Sequence, residues 1–168
     1  IYCTGYAVGE PAYPFTIQGL NGQSLADYWG DQPKAYYGMN VSHFPNMLLI
    51  MGPNSGPGHT SVLIYQEAQY QYVAKFTKTL LRKNLRYLDV KEKVMLEQFR
   101  YFQNRMKNST WLSGCQSWYL NDDGTNSTMW PGFSFEYVLR TKRLNMSAYR
   151  AVAKWSEKSV PDIALLST

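Results

Sequence analysis

The sequence predicts an α/β protein whose sheet is incomplete within these 168 residues. Three observations carry that reading. Met47-Leu48-Leu49-Ile50-Met51 is apolar at every position, the pattern of a strand covered on both faces. A glycine-rich loop over 52–59 follows directly, and then Val62, Tyr65, Tyr72, Phe76 and Leu80 recur near helical spacing, so that strand, loop and helix form a βα unit. One other strand is readable, at 1–4, and two strands do not make an independently stable sheet. A strand that needs neighbours, in a chain without them, reads as the C-terminal third of a larger α/β protein.

Residues 1–4 are apolar and β-branched, and Gly5 ends them, as in a short strand. Gly9, Pro11 and Pro14 keep the next stretch irregular, and Asn21-Gly22 marks a tight turn. Ser24 is placed to cap a short helix over 25–29 that Gly30 ends. After the βα unit, a second long helix is expected over about 90–107, capped by Asp89, with Met95, Phe99, Phe102 and Met106 along one stripe. Residues 110–135 are irregular and aromatic, with Asn121-Asp122-Asp123-Gly124 as a turn. A last helix is expected over 147–158, stopped by Pro161.

Composition narrows the function classes. Apolar residues at 45% and charged residues at 17% exclude wholesale disorder. No apolar run approaches the roughly 20 residues that cross a bilayer. The start does not read as a signal peptide, and Cys3 and Cys115 are expected to be reduced, so a cytoplasmic setting is expected. Four Asn-x-Ser/Thr triplets, at Asn40, Asn108, Asn126 and Asn145, read as chance. The net charge of +5 is uneven: residues 1–74 hold only Lys34 against four acids, and the basic residues gather in the second half. The densest run, from Lys75 through Lys78, Arg82, Lys83 and Arg86 to Lys93, lacks the interleaved aromatics on which bases stack. It reads as a solvated helix face and not as a nucleic-acid groove. His43 and His59 have no Cys or carboxylate cluster to complete a zinc site, and His59 with Ser61 lacks a nucleophile elbow.

The chemistry concentrates in the loop. Glycines at 52, 56 and 58 remove Cβ atoms that would hold a ligand off the backbone, and Pro53 and Pro57 restrict the loop before anything binds. The helix that follows aims unpaired amides and its positive dipole end into the same space, favouring an anion or an electron-rich ring edge by about 0.3–1 kcal/mol. The spacing is neither a dinucleotide fingerprint nor a P-loop, so on spacing alone a plain strand-to-helix turn stands level with a ligand site.

Longer motifs break that tie. Ile1-Tyr2-Cys3-Thr4-Gly5-Tyr6 resembles the apolar-apolar-Ala-Thr-Gly-Tyr/Phe signature of the class B flavoprotein monooxygenases, with Cys3 where Ala is usual. Gly38, then Phe44-Pro45-Asn46, the apolar run and Gly52-Pro53-Asn54-Ser55 are similar to a passage of the Baeyer–Villiger monooxygenases. Trp111, Gly114-Cys115, Ser117-Trp118-Tyr119-Leu120, Gly124, Asn126 and Trp130-Pro131-Gly132 resemble the C-terminal tail of the branch that includes 4-hydroxyacetophenone monooxygenase. The resemblance covers about residues 1–143, leaving 144–168 as a C-terminal helix and tail.

The resemblance implies the C-terminal portion of a Rossmann-like FAD-binding domain, with an incomplete sheet, long helices and an irregular aromatic tail. The intact enzyme would use FAD, NADPH and O2 to insert one oxygen atom into a ketone or heteroatom substrate. Flavin contacts are implied at Gly52, Pro53, Asn54, Ser55, Gly58, His59, Thr60 and Ser61. Trp118 is implied near the nicotinamide nucleotide, a packing tryptophan being the equal alternative. Both glycine fingerprints, the F-x-G-x-x-x-H-x-x-x-W-P segment and the active-site arginine lie upstream in the family and are absent from this sequence. No catalytic or metal-binding residue is therefore assigned, and the implied partner is an N-terminal FAD- and NADPH-binding portion. The chain alone is expected to be inactive and to bind FAD poorly. The alternative is a non-catalytic structural or interaction domain derived from a truncated flavoprotein.

Overall fold

In the computed structural model, the described residues are 15–107, 109, 119–121 and 123–154. The strand expected at 1–4, both cysteines, Trp111 and Trp118 lie outside them. Helix α1 (Leu25–Trp29) has the expected bounds, with Ser24 extended before it and Gly30 at φ 50° after it, but the Ser24 side chain makes no capping hydrogen bond. Leu25 and Trp29, one turn apart, are both buried.

Helix α2 (Val62–Arg82) starts at Ser61, whose hydroxyl accepts from the Leu63 amide at 3.2 Å. Its inward stripe is Tyr65, Ala68, Gln69, Tyr72 and Phe76, while Val62 is left outside. Asn84, at φ 48°, turns the chain into strand β1 (Leu85–Val90). Helix α3 (Glu92–Met106) follows and buries Met95, Phe102 and Met106 along the expected stripe. Helix α4 (Ser134–Thr141) and strand β2 (Tyr149–Ala153) complete the described elements. The two strands pair antiparallel, with Val90 opposite Tyr149 and Leu85 opposite Ala153.

Three expectations are corrected here. Residues 47–51 are not a strand: Asn46 and Met51 have φ of 59° and 56°, and the Leu49 amide bonds the Met39 carbonyl at 2.8 Å instead of a ladder partner. Their uniform apolarity has another cause. Met47, Leu48 and Leu49 pack on one hydrophobic cluster and Met51 on a second. Asp89 does not cap a helix but lies inside β1, and its carboxylate accepts from the His43 amide at 3.0 Å. The helix expected from 147 gives way to a single 3-10 turn (Met146–Ala148) and then β2, because the exposed edge of β1 offers hydrogen bonds that override the helical propensity of Ala151 and Ala153.

The first cluster joins α1, the C-terminal half of α2, β1, β2 and the start of α3 through Trp29, Tyr72, Phe76, Leu88 and Met95. The second joins the start of α2, the end of α3 and α4 through Tyr65, Phe102, Met106, Trp130 and Tyr137. The loop at 52–60 leads from the first cluster to the second.

Candidate functional site

The loop has an anchored base and an open end. At the base, a Cβ on Gly52 would lie 2.5 Å from the Gly38 carbonyl oxygen. Gly38 itself sits at φ 68°, with Ser55 so near that a Cβ there would come within 2.6 Å of the Ser55 Cβ. The Ser55 hydroxyl donates to the Gly52 carbonyl at 2.6 Å. Asn54 is 1% exposed and held at φ 55°; its amide donates to the Ser127 carbonyl at 2.6 Å, and its Nδ2 donates to the carbonyls of Asn126 at 2.7 Å and Met129 at 3.1 Å. Gly56 exchanges backbone bonds with Thr128 and Trp130 at 2.9 and 2.8 Å, and a Cβ on it would meet the Thr128 carbonyl at 2.8 Å. The expected purpose of Gly52 and Gly56 is thereby corrected. The space beside each is filled by this chain's own carbonyls, so these glycines permit close backbone packing and not ligand approach.

Polar side chains distant in sequence tighten the grip. Gln103 on α3 takes both backbone groups of Asn126, accepting from its amide at 3.1 Å and donating to its carbonyl at 2.9 Å. The Asn126 side chain accepts from the Thr128 and Met129 amides at 3.0 and 2.8 Å. Gln69 on α2 accepts from the Met51 amide at 2.9 Å and donates to the Tyr137 hydroxyl at 2.8 Å, which donates onward to the Tyr37 carbonyl at 2.8 Å. Burial pushes the Tyr137 phenol well above its ordinary pKa, against the bond from Gln69, so this relay keeps its proton at Tyr137.

Past Pro57 the loop opens. Gly58, His59 and Ser61 are exposed and Thr60 is half-buried. The His59 ring meets Phe133 edge-on at 6.1 Å, with its Nε2 3.4 Å from the Ser134 hydroxyl. Ser61 satisfies the amides of Leu63 and Ile64, whereas those of His59, Thr60 and Val62 have no acceptor among the described residues. The open end borders a cleft of about 490 Å³ lined by Gly58, His59, Arg105, Met106, Trp130 and Phe133, among others. Its one guanidinium is engaged: Arg105 Nη1 donates to Glu136 Oε2 at 2.6 Å, and that bond holds the Glu136 carboxyl below its ordinary pKa.

Of the predicted contact residues, Gly52, Pro53, Asn54 and Ser55 form the base, and Gly58, His59, Thr60 and Ser61 form the open end. Trp118 lies outside the described residues. Gln69, Gln103 and Tyr137 carry no signal in the sequence, and Asn126 stands out there only in the resemblance and in a triplet read as chance. Among the described residues no group of three His, Cys, Asp or Glu is placed to hold a metal, and no helix is long and apolar enough to cross a membrane.

No family model matches the sequence. The chain is 37% identical over 151 residues to a Baeyer–Villiger monooxygenase of Pseudomonas aeruginosa, covering 89% of this chain and 29% of that protein. It is 30% identical over 154 residues to a Baeyer–Villiger monooxygenase of Streptomyces coelicolor, covering 90% of this chain and 30% of the relative. Against the FAD-binding monooxygenase ktnD of Aspergillus niger it is 31% identical over 142 residues, with coverages of 82% and 23%. The chain thus spans less than a third of the length of these relatives. Its backbone superposes on a steroid monooxygenase bound to NADP with a TM-score of 0.71 at 20% identity, covering 83% of this chain and 26% of that one. It superposes equally well on OTEMO in complex with FAD and NADP, with a TM-score of 0.72 at 17% identity and coverages of 81% and 26%. The fold is that of the matching part of these flavoproteins.

Proposed function

The chain belongs to the class B flavoprotein monooxygenases, and on that footing we propose that it forms the flavin-side wall of a cytoplasmic FAD- and NADPH-dependent enzyme that inserts one oxygen atom of O2 into a ketone or heteroatom substrate. The observation that carries this reading is the 37% identity to the Pseudomonas aeruginosa enzyme across nearly the whole chain. The geometry supports it in one respect above others. The amides of His59, Thr60 and Val62 have no acceptor among the described residues and lie at the start of a 21-residue helix, where an electron-rich ring edge would be welcome.

Gly58, His59, Thr60 and Ser61 would face the pyrimidine edge of FAD, and Gly52, Pro53, Asn54 and Ser55 would hold that end in place from beneath. Trp118 would lie near the nicotinamide nucleotide. The chemistry supplied by FAD when bound is acceptance of hydride from NADPH and activation of O2, for which the protein provides position and electrostatics. This chain's part is rigidity. Asn54 and Gln103 fix the base, the Gln69–Tyr137 relay fixes its entry at Met51, and the His59–Phe133 contact shields one side of the cleft.

A chimera tests the reading: the Pseudomonas aeruginosa enzyme with this chain in place of its matched stretch. It should purify with FAD and consume NADPH in a ketone-dependent way. A folded chimera without FAD would refute the proposal. The isolated chain should bind FAD weakly, and micromolar or tighter affinity in a flavin titration would contradict the assignment of the main anchors to other sequence.

A further inference from the structure

The first turn of α2 and the outer side of α4 share an apolar face. Val62, Leu63 and Ile64 are 44%, 64% and 39% exposed, and Phe133, Phe135 and Leu139 are each above 60% exposed. The pieces are contiguous. Phe133 and Phe135 stack at 5.7 Å, Phe133 reaches the loop through His59, and Ile64 and Leu139 line one groove of about 330 Å³ between the two helices. Helix α4 turns Tyr137 and Thr141 inward and lines up Phe135, Val138 and Leu139 at i, i+3 and i+4 on its outer side, so its apolar stripe is the face left exposed. Helix α2 behaves differently further along: from Tyr65 onward its apolar stripe faces inward, and beyond the first turn its exposed large apolar side chains, Tyr70 and Leu81, stand singly.

We propose that this face is covered, in the working enzyme, by the part of the flavoprotein that lies outside the stretch matched here, through an apolar surface complementary to α2 and α4. The inference rests on the reading above that the chain is one portion of a class B monooxygenase. Two observations select this occupant. The matched stretch makes up 29% of the Pseudomonas aeruginosa relative and 26% of the steroid monooxygenase, so most of such an enzyme lies outside it. The face is also continuous with Gly58 and His59 through Phe133, so its cover would close over the same open end that the proposed cofactor would meet. Patches of this kind on an ordinary monomer are small and scattered.

Hydroxyl-radical footprinting of the isolated 168-residue chain and of the chimera provides the test, with Leu81 as the internal reference. Leu81 is 72% exposed and sits near the other end of α2, about 27 Å from Leu63. Oxidation of Leu63, Phe133 and Leu139 should fall by about fivefold or more in the chimera, as in the water-excluded centre of an interface, while Leu81 stays equally reactive. Light scattering adds an independent readout on the isolated chain. The wild type should self-associate, Leu63→Asp combined with Leu139→Asp should be monomeric, and Leu81→Asp should behave as wild type. Equal oxidation in both proteins overturns the proposal. So does protection already present in a monomeric isolated chain, which would mean that the chain's own residues cover the face. Protection confined to a dimeric chimera overturns it in favour of a second copy. A chimera that protects the face but retains no FAD leaves this inference standing and removes the flavin reading; one that retains FAD with Leu63, Phe133 and Leu139 still reactive does the reverse.

Discussion

Replacing Asn54 with Ala separates the two costs that hold the loop base together. The side chain donates to two carbonyls, Asn126 at 2.7 Å and Met129 at 3.1 Å, from a position 1% exposed. Stranding a buried acceptor costs about 1–3 kcal/mol. Asn126 falls at the low end because its carbonyl keeps the bond from Gln103 at 2.9 Å. Asn54 is also held at φ 55°, a region that Asn tolerates and Ala does not, adding about 1 kcal/mol. The loss should total about 3–4 kcal/mol, a large share of the roughly 5–15 kcal/mol that stabilises a domain.

Three substitutions resolve the parts. Asn54→Gly keeps the hydrogen-bond loss but relieves the backbone, so it should be about 1 kcal/mol milder than Asn54→Ala. Asn54→Asp sets a buried carboxylate against two carbonyls and should be the worst of the three. Urea unfolding of the full chain, followed by tryptophan fluorescence and circular dichroism, gives the ranking from the midpoints at unchanged m-value. An Asn54→Ala midpoint within about 1 kcal/mol of wild type would refute the reasoning, because the distances above would then describe bonds that carry no stability. An Asn54→Gly variant no milder than Asn54→Ala would refute the backbone component alone.

Gly38→Ala should cost about 2–4 kcal/mol, since it adds a steric clash with Ser55 to a left-handed φ, whereas Gly124→Ala, at φ 78° in open space, should cost only about 1 kcal/mol; thermal unfolding of both separates clash from strain. Asp89→Asn should stabilise the chain at pH 7, because burial raises the Asp89 carboxyl above its ordinary 3.8 despite the bond from the His43 amide. With the folded-state pKa raised, the contribution of Asp89 is most favourable below 3.8 and is lost as pH rises through the folded value; the advantage of the Asn variant in urea midpoint should therefore shrink on acidification, and a constant difference would contradict it. Trp118→Ala in the chimera should raise KM for NADPH by about tenfold at unchanged FAD content if the indole contacts the nucleotide, and an unchanged KM assigns it to packing.

Local punctuation was the most legible part of the sequence. Ser24 and Gly30 bound α1 at the expected positions, although the Ser24 side chain makes no cap hydrogen bond, and the stripes of α2 and α3 survive because each packs one face on a cluster. The run at 47–51 misleads because uniform apolarity does not report extension: four of its side chains pack partly buried on two clusters, Ile50 is exposed, and its backbone is pinned by left-handed residues at both ends. Strand β1 escaped notice because Arg86 and Asp89 interrupt its apolar pattern, and β2 because alanines favour helix until a free edge is available. In the site, glycine density marked the loop. Its supports, Gln69, Gln103 and Asn126, are ordinary polar residues far apart in the chain, and packing alone brings them together.

The same physics accounts for the one helix that the sequence concealed and for the surface it leaves open. Ser134–Thr141 is short and follows Pro131-Gly132 in an aromatic stretch that reads as irregular, and its apolar stripe of Phe135, Val138 and Leu139 faces outward while Tyr137 faces inward. That outward stripe is costly in an isolated chain, where its apolar residues meet water, and favourable in an enzyme that covers it. The loop shows the complementary arrangement. Its base is satisfied by this chain's own carbonyls, but the amides of His59, Thr60 and Val62 have no acceptor among the described residues beside the apolar face. A single cover that supplied both an apolar surface and an electron-rich ring would settle both deficits at once. The footprint and the FAD content of the chimera should therefore change together if the cover and the ring occupy one space, and separately if they do not.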